Sequence, residues 1–255
     1  MEIKAKKSFG QNFLINKNIQ QKIVEAAEVN NEDVIEIGPG LGALTNHLID
    51  KVKTLNCYEL DLEIYNLWLN KALPSNIHFK HQDFLEANLD LENKLVVIGN
   101  IPYNITSDII FKLIRSFKTL KRATLMVQKE VADRLVASPN SKAYSKLTLS
   151  VNLVASVKKI INVKANEFNP VPKVDSAVVR LDFVDNIDFN LEKMLHFIKI
   201  IFQFKRKTLI NNLQTSYPKE LIVKSLEKLN LSLNVRAEQL DLNQIKSLYV
   251  LLENL

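Results

Sequence analysis

Three of the five glycines in this chain fall within five residues, Gly38-Pro39-Gly40-Leu41-Gly42, between an apolar run at 34–37 and a helical pattern at 44–49. A sequence that uses glycine so sparingly has a special backbone requirement there, either positive φ or close approach of a ligand to a main chain without Cβ. The preceding Val34-Ile35-Glu36-Ile37 is short, mostly apolar and bounded by turn signals, and it reads as a buried strand. Strand, glycine turn and helix make the opening unit of an open α/β sheet, whose ligands bind beyond the carboxyl ends of the strands. The spacing is G-x-G-x-G with a proline inside, not the G-x-G-x-x-G of dinucleotide folds. It suits a nucleoside with a short amino-acid tail better than a pyrophosphate, and it disfavours a Rossmann oxidoreductase.

The same alternation runs on through the chain. Strand patterns at 54–60, 77–80, 95–98 and 123–127 are separated by helical patterns at 62–73, 106–117 and 129–136, and a helix at 17–28 precedes the first strand. This argues for a parallel, doubly wound sheet covered on both faces. Leu147, Leu149, Val151 and Leu153 alternate, and pattern alone predicts a strand there. Two late strands are expected at 157–163 and 174–183, separated by Asn169-Pro170-Val171-Pro172. Beyond 188 the patterns at 189–213, 218–230 and 243–254 are all helical. The expected fold class is α/β, with a doubly wound Rossmann-like domain over 1–187 and a small all-helical domain over 188–255.

Charge points to a polyanionic partner. The formal net charge is +6, and six basic side chains stand in each of the windows 109–129 and 193–219 with no acid in either. Residues 1–22 add five lysines against Glu2. Such windows make a nucleic-acid partner the favoured expectation. No apolar run of about 18 residues is present, which argues against a membrane helix. The first seven residues lack an apolar signal region, so a cytoplasmic location is expected. The four histidines (47, 78, 81 and 196) have no metal-ligand spacing, and no metal is expected. The lone Cys57 lies in a strand pattern and reads as a small core residue.

The strand ends carry the chemistry. Glu59 lies 21 positions after Gly38, where a carboxylate can accept from both hydroxyls of a ribose. Asp83 closes the third strand and can accept from an adenine amine. The fourth ends in Asn100-Ile101-Pro102-Tyr103. An Asn carbonyl and a neighbouring backbone carbonyl can accept both hydrogens of an exocyclic amine, drawing its lone pair out of ring conjugation. Pro102 fixes φ and has no donor to misdirect, and Tyr103 offers a stacking face. Taken together these strand ends indicate an S-adenosylmethionine site beside an amine-bearing base.

At this point the chain resembles the small-subunit (16S-type) ribosomal RNA adenine-N6,N6-dimethyltransferases, whose loss gives kasugamycin resistance. The resemblance rests on Phe9-Gly-Gln-Asn-Phe-Leu14, Glu36-Ile-Gly-Pro-Gly-Leu41, Glu59-Leu-Asp61, Gln82-Asp83 and Asn100-Ile-Pro-Tyr-Asn-Ile105. It continues in Gln128-Lys-Glu-Val-Ala132, Pro139-Asn-Ser-Lys-Ala-Tyr144, Pro172-Lys-Val-Asp-Ser-Ala-Val-Val-Arg180 and Lys205-Arg-Lys-Thr-Leu209, and so spans almost the whole chain. The family often has Leu, or a bulkier or basic residue, in place of Ile101, and tends to have Arg in place of Lys205.

The resemblance implies dimethylation of two adjacent adenines near the 3′ end of small-subunit rRNA, with S-adenosylmethionine as donor, on a pre-30S-type particle and by a monomer. It implies that Gln11, Asn12, Leu14, Gly38, Gly40, Glu59, Leu60, Asp83, Phe84 and Asn100 hold the cofactor. Asn100, Ile101, Pro102 and Tyr103 would form the target pocket, with Phe168 covering the base's other face. Lys205, Arg206, Lys207 and Arg180 would contact RNA. It also implies a helix at 145–155, against the alternation. Two alternatives stand beside this reading. One is the related large-subunit adenine methyltransferase of macrolide resistance, disfavoured by the Pro172–Arg180 and 205–209 segments. The other is a ribosome-assembly or nucleic-acid-binding factor with dispensable catalysis.

Overall fold

A computed structural model describes residues 5–6, 9–89 and 93–253. Part of the basic window at 1–22 therefore lies outside the described residues. The chain packs as two compact units, one of Met1–Ala132 with Ala155–Asp185, the other of Asp133–Val154 with Asn186–Leu255.

The first unit is a seven-stranded sheet with flanking helices. Its strands are β2 (Asp33–Ile37), β3 (Thr54–Glu59), β4 (Ile77–His81), β5 (Leu95–Asn100), β6 (Leu120–Gln128), β7 (Ala155–Val163) and β9 (Ser176–Phe183). Their order is β4-β3-β2-β5-β6-β9-β7. The pairs β4/β3, β3/β2, β2/β5 and β5/β6 are parallel, while β9 is antiparallel to both β6 and β7. The sheet is thus mostly parallel, and the two late strands form an antiparallel end. The central strands read as continuous apolar runs because both faces are covered. Leu95, Val96, Val97 and Ile98 are all within 1% of full burial. At the free edge, β7 exposes Lys158, Lys159 and Ile160, and charge there blunts pairing with other chains.

After β2 the chain adds β3 and β4 on one side, then returns to add β5 and β6 on the other. The crevice between the carboxyl ends of β2 and β5 is therefore a topological switch point, where open α/β sheets bind ligands. The helices that cover this sheet are α1 (Lys17–Ala27), α2 (Thr45–Leu48), α3 (Leu62–Leu69) and α4 (Thr106–Arg115). Asn16 caps α1 by accepting from the Asn18 and Ile19 amides at 3.0 and 3.2 Å. Ile23, Val24 and Ala27 then face a core shared with Val34, Leu48, Leu55 and Ile98. The lead-in is stitched to this unit by a short antiparallel pair, β1 (Phe13–Leu14) with β8 (Phe168–Asn169).

The second unit collects α6 (Lys146–Asn152), α7 (Leu191–Ile201), α8 (Leu209–Leu213), α9 (Lys219–Lys228) and α10 (Leu242–Glu253), and α5 (Lys129–Leu135) runs across the boundary at 132. Residues 146–152 are helical, which corrects the strand expected from alternation. Ser145 and Thr148 form a reciprocal capping box, and Thr148, Leu149, Ser150 and Val151 are all buried. A helix buried on every side has no polar face to reveal a 3.6-residue period. Phe197 anchors this core, edge-on to Tyr249 at 5.4 Å and to Tyr217 at 6.3 Å. No helix of the described residues is long and apolar enough to cross a membrane.

Several cations of the basic windows hold the fold together. Lys112 donates to the Leu85 and Ala87 carbonyls at 3.0 and 2.6 Å, and Lys121 pairs with Glu32. Arg122 pairs with Glu28 and donates to Ala27 O at 3.3 Å. Arg180 binds Asp182 through Nε and Nη2, and Glu28 and the Ala26 carbonyl through Nη1. Every nitrogen of its guanidinium is thus engaged inside the unit, so the structure commits Arg180 to joining β9 to the end of α1.

Arg180, and then Arg122, hold the Glu28 carboxyl below its ordinary value. A carboxylate with a depressed folded value stabilises the protein above its unfolded value, and that stabilisation is lost as pH falls through the folded value. Acid unfolding followed by circular dichroism is expected to show Glu28→Gln losing less stability than the wild type below about pH 4.5. Parallel acid curves for the two proteins would refute the assignment.

Candidate active site

A cavity of about 460 Å³ opens at the switch point, floored by the ends of β2, β3 and β5. Its mouth is shaped by the glycine turn. Gly38, Gly40 and Gly42 have φ of +65°, +52° and +95°, values that side chains disfavour. Both backbone groups of Gly40 are held by side chains: its N–H donates to Glu59 Oε2 at 3.2 Å, and its carbonyl accepts from Trp68 Nε1 at 2.8 Å. A Cβ on Gly40 would lie 3.3 Å from the Phe13 ring, and one on Gly42 only 2.8 Å from Trp68. Trp68 is itself stacked on Phe79 with ring centroids 4.7 Å apart. The turn is therefore shaped by packing as well as by glycine.

Three carboxylates line the cavity, Glu36, Glu59 and Asp83, together with one ammonium, Lys17. Glu36 is 1% exposed and accepts from Cys57 Sγ at 3.6 Å; burial pushes it up to about 7. Burial also raises Glu59, against hydrogen bonds from the amides of Asp61 at 2.9 Å and Gly40. Both Glu59 oxygens thus accept from backbone amides, and the carboxylate also lines the cavity. Asp83 accepts from the Leu85 amide at 2.8 Å through Oδ1. An acidic lining with few cations fits a ligand that bears positive charge.

Asp61 ties the lead-in to this wall. Its oxygens accept from Lys6 Nζ at 2.7 Å, Gln11 Nε2 at 2.9 Å and its own helix at Glu63 N. Burial pushes Asp61 up, and the Lys6 and Gln11 hydrogen bonds outweigh it, so the carboxyl sits below its ordinary value.

Opposite lies the Asn100 turn. Asn100 Nδ2 donates to the Asn12 carbonyl at 2.9 Å, which fixes the amide and leaves Oδ1 without a donor among the described residues. The Ile101 N–H donates to Met126 O at 3.3 Å, while the Ile101 carbonyl likewise takes no donor among the described residues. The Pro102 carbonyl is used by the Ile105 amide and Thr106 Oγ1. Tyr103 is half-buried, and its hydroxyl lies 2.6 Å from Ser176 Oγ, so its ring is anchored at the far end. The turn therefore offers two acceptors beside an anchored aromatic face.

All ten residues expected to hold the cofactor line this one cavity, as do Ile101, Pro102 and Tyr103. Phe168 does not join them. Its ring is 1% exposed and belongs to the core with Leu14, Val163 and Val178, a consequence of the β1/β8 pairing that sets Leu14 opposite Phe168. Lys205, Arg206 and Lys207 are exposed in the second unit. Sequence reasoning missed Trp68, Ser176 and the Lys6–Asp61 link. A lone Trp in a helical pattern reads as core, and a Ser or Lys gives no local sign of a partner 73 or 55 residues away. Among the described residues no group of three or more His, Cys, Asp or Glu side chains is placed to hold a metal ion.

Comparison with known proteins agrees with this geometry. Residues 2–254 match the family described as ribosomal RNA adenine dimethylase. Ribosomal RNA small subunit methyltransferase A of Metamycoplasma arthritidis is 54% identical over 254 residues, covering 100% of this chain and 98% of that protein. The protein of the same name from Mycoplasma mobile is 49% identical and covers 96% of each chain. Among solved structures, a dimethyladenosine transferase from Plasmodium falciparum superposes with a TM-score of 0.80 at 30% identity, covering 92% of this chain and 95% of that one. The 23S rRNA methyltransferase ErmE does so with a TM-score of 0.75 at 27% identity, covering 95% and 100%.

Two outcomes test the site's construction. Gly42→Ala forces a Cβ against Trp68 at a strained φ and is expected to cost about 1–3 kcal/mol in urea unfolding. A neutral effect would mean that the turn is not held by the indole. For Glu36, the folded state binds the proton more tightly than the unfolded chain, so its contribution to stability is present below the ordinary 4.5 and lost as pH rises through about 7. Glu36→Gln is expected to flatten the urea midpoint across that range, where the wild type declines.

Proposed function

The chain belongs to the ribosomal RNA adenine dimethylase family, and on that footing we propose that its cavity presents the N6 amine of a small-subunit rRNA adenine to S-adenosylmethionine. The protein is an S-adenosylmethionine-dependent rRNA adenine dimethyltransferase. The observation that supports the residue roles best is the Asn100 amide, turned by the Asn12 carbonyl so that Oδ1 is left as an acceptor beside the Ile101 carbonyl.

Glu59 would hold the ribose hydroxyls and Asp83 the adenine amine of the donor, while the glycine turn lets its amino-acid tail approach the backbone. When bound, the donor supplies an electrophilic methyl group on a sulfonium centre. The remaining work is orientation. Asn100 Oδ1 and the Ile101 carbonyl accept the two N6 hydrogens, so the nitrogen lone pair is freed from the ring and aimed at the donor. Tyr103 stacks on the extruded base, which offsets its lost stacking by about 1–3 kcal/mol. A neutral acceptor suffices, because the N6 proton becomes acidic once the new N–CH₃ bond has formed and can pass to water. After one transfer N6 keeps a single hydrogen, and one acceptor is enough for the second round. Two adjacent adenines would be treated in turn, by a monomer acting in the cytoplasm on a pre-30S-type particle.

The large-subunit alternative has a specific basis in the likeness to ErmE, but that protein is 27% identical against 54% for the small-subunit relative. Labelled S-adenosylmethionine offered with unmodified small or large ribosomal particles separates the two. Dimethyladenine is expected only in small-subunit RNA, and label confined to large-subunit RNA would reverse the assignment. Asn100→Ala is expected to lower transfer by at least about 100-fold, while donor affinity measured by calorimetry changes little. Wild-type turnover in that variant would sink the role given to Asn100.

A further inference from the structure

The second unit exposes an aromatic ring that its core does not use. Phe204 is 49% exposed and directly precedes Lys205-Arg206-Lys207 in the link between α7 and α8. Single exposed apolar side chains are common and need no explanation by themselves. The backbone that carries this one is held by a buried amide. Asn212 of α8 is 1% exposed; its Oδ1 accepts the Phe204 N–H at 2.9 Å, and its Nδ2 donates to the carbonyls of Phe204 at 3.3 Å and Thr208 at 3.4 Å. The Lys207 N–H donates to the Phe204 carbonyl as well, at 3.0 Å. Phe202, two residues earlier, packs toward Tyr144 with ring centroids 6.4 Å apart. The link thus sends one ring inward and holds the next one outward.

The surroundings of that outward ring are cationic. Lys205 Nζ reaches the Lys142 carbonyl at 3.4 Å, which brings the exposed Lys142 beside the link. Arg206 and Lys207 are exposed, and their side chains make no ion pair among the described residues. No acid occurs anywhere from 193 to 219. A rigidly presented aromatic face among unpaired cations is the arrangement that binds single-stranded nucleic acid, the ring stacking on a base and the cations meeting the phosphates on either side.

We propose that Phe204 is a stacking platform for one unpaired RNA base, with Lys142, Lys205, Arg206 and Lys207 on the adjoining phosphates. This rests on the RNA-modifying reading above and adds a second base-holding site, far in sequence from Tyr103. A ring accepts any base, so the platform recognises strandedness and not sequence, and it has no grip on a base kept inside a duplex.

The test uses the full-length protein and a short single-stranded RNA carrying 2-aminopurine, with a blunt duplex of the same sequence as control. Wild type is expected to quench the fluorophore on binding. Phe204→Ala should reduce the quench and weaken single-strand binding roughly 5- to 100-fold, with duplex binding and the urea unfolding curve unchanged. Phe204→Tyr should retain both quench and affinity, whereas Phe204→Leu should behave like the Ala variant. Equal single-strand affinity of Phe204→Ala and wild type would overturn the proposal. So would full retention by Phe204→Leu, which indicates simple apolar contact, or an equal loss on duplex and single strand. Methyl transfer to small-subunit particles by the wild type is measured separately, so a failure of the catalytic reading is distinguishable from a failure of this one.

Discussion

The glycine turn depends on two hydrogen bonds to the backbone of one residue. Gly40 donates to Glu59 and accepts from Trp68, both supplied by the next strand–helix unit. Both bonds are part-buried, where water competes less well for the same groups, so they hold the turn in place. They also shape the cavity, because the Glu59 carboxylate that steadies the turn is part of its lining. Gly42 then leaves room for the indole, and the indole's stack on Phe79 carries the constraint down to β4.

The lead-in is the second constraint. Residues 11–16 cross the cavity and are bound at four places: Gln11 on Asp61, Asn12 on Asn100, Leu14 opposite Phe168, and Asn16 on Glu167. A segment whose only regular structure is the two-residue strand β1 thus decides how the Asn100 amide is turned. The Asp61 side of the cavity and the Asn100 turn are both tied to this segment, so a change at residue 12 acts beside each.

Much of this was legible because strands and helices differ in period, and because chemistry gathers at strand ends. The G-x-G-x-G turn, Glu59, Asp83 and Asn100 all fall where spacing put them, and all line one cavity. What escaped has a common cause. Charge counts register ionic groups but not their partners, so Lys112 and Arg122 counted toward a polyanion-binding window although Leu85 O and Ala27 O, which they bind, lie 27 and 95 residues away; Arg180, assigned to RNA by resemblance, is bound to Glu28, 152 residues away. The helix at 146–152 buries four successive residues, 148–151, and so lacks the exposed face by which helices are recognised. Phe168 carries an aromatic signal that suits a base pocket, yet two residues of antiparallel pairing bury it. The packing of 133–154 with 186–255 has no local mark in the chain at all.

Glu36 gives the cavity a property beyond shape. A carboxyl pushed up to about 7, chiefly by burial and in small part by the neighbouring Glu59, is shared between its charged and neutral forms near neutrality. A cation entering beside it favours the charged form and expels the proton. A carboxyl held at about 7 by burial thus carries only part of a full charge near neutrality, which spares the folded protein part of the repulsion between Glu36 and Glu59.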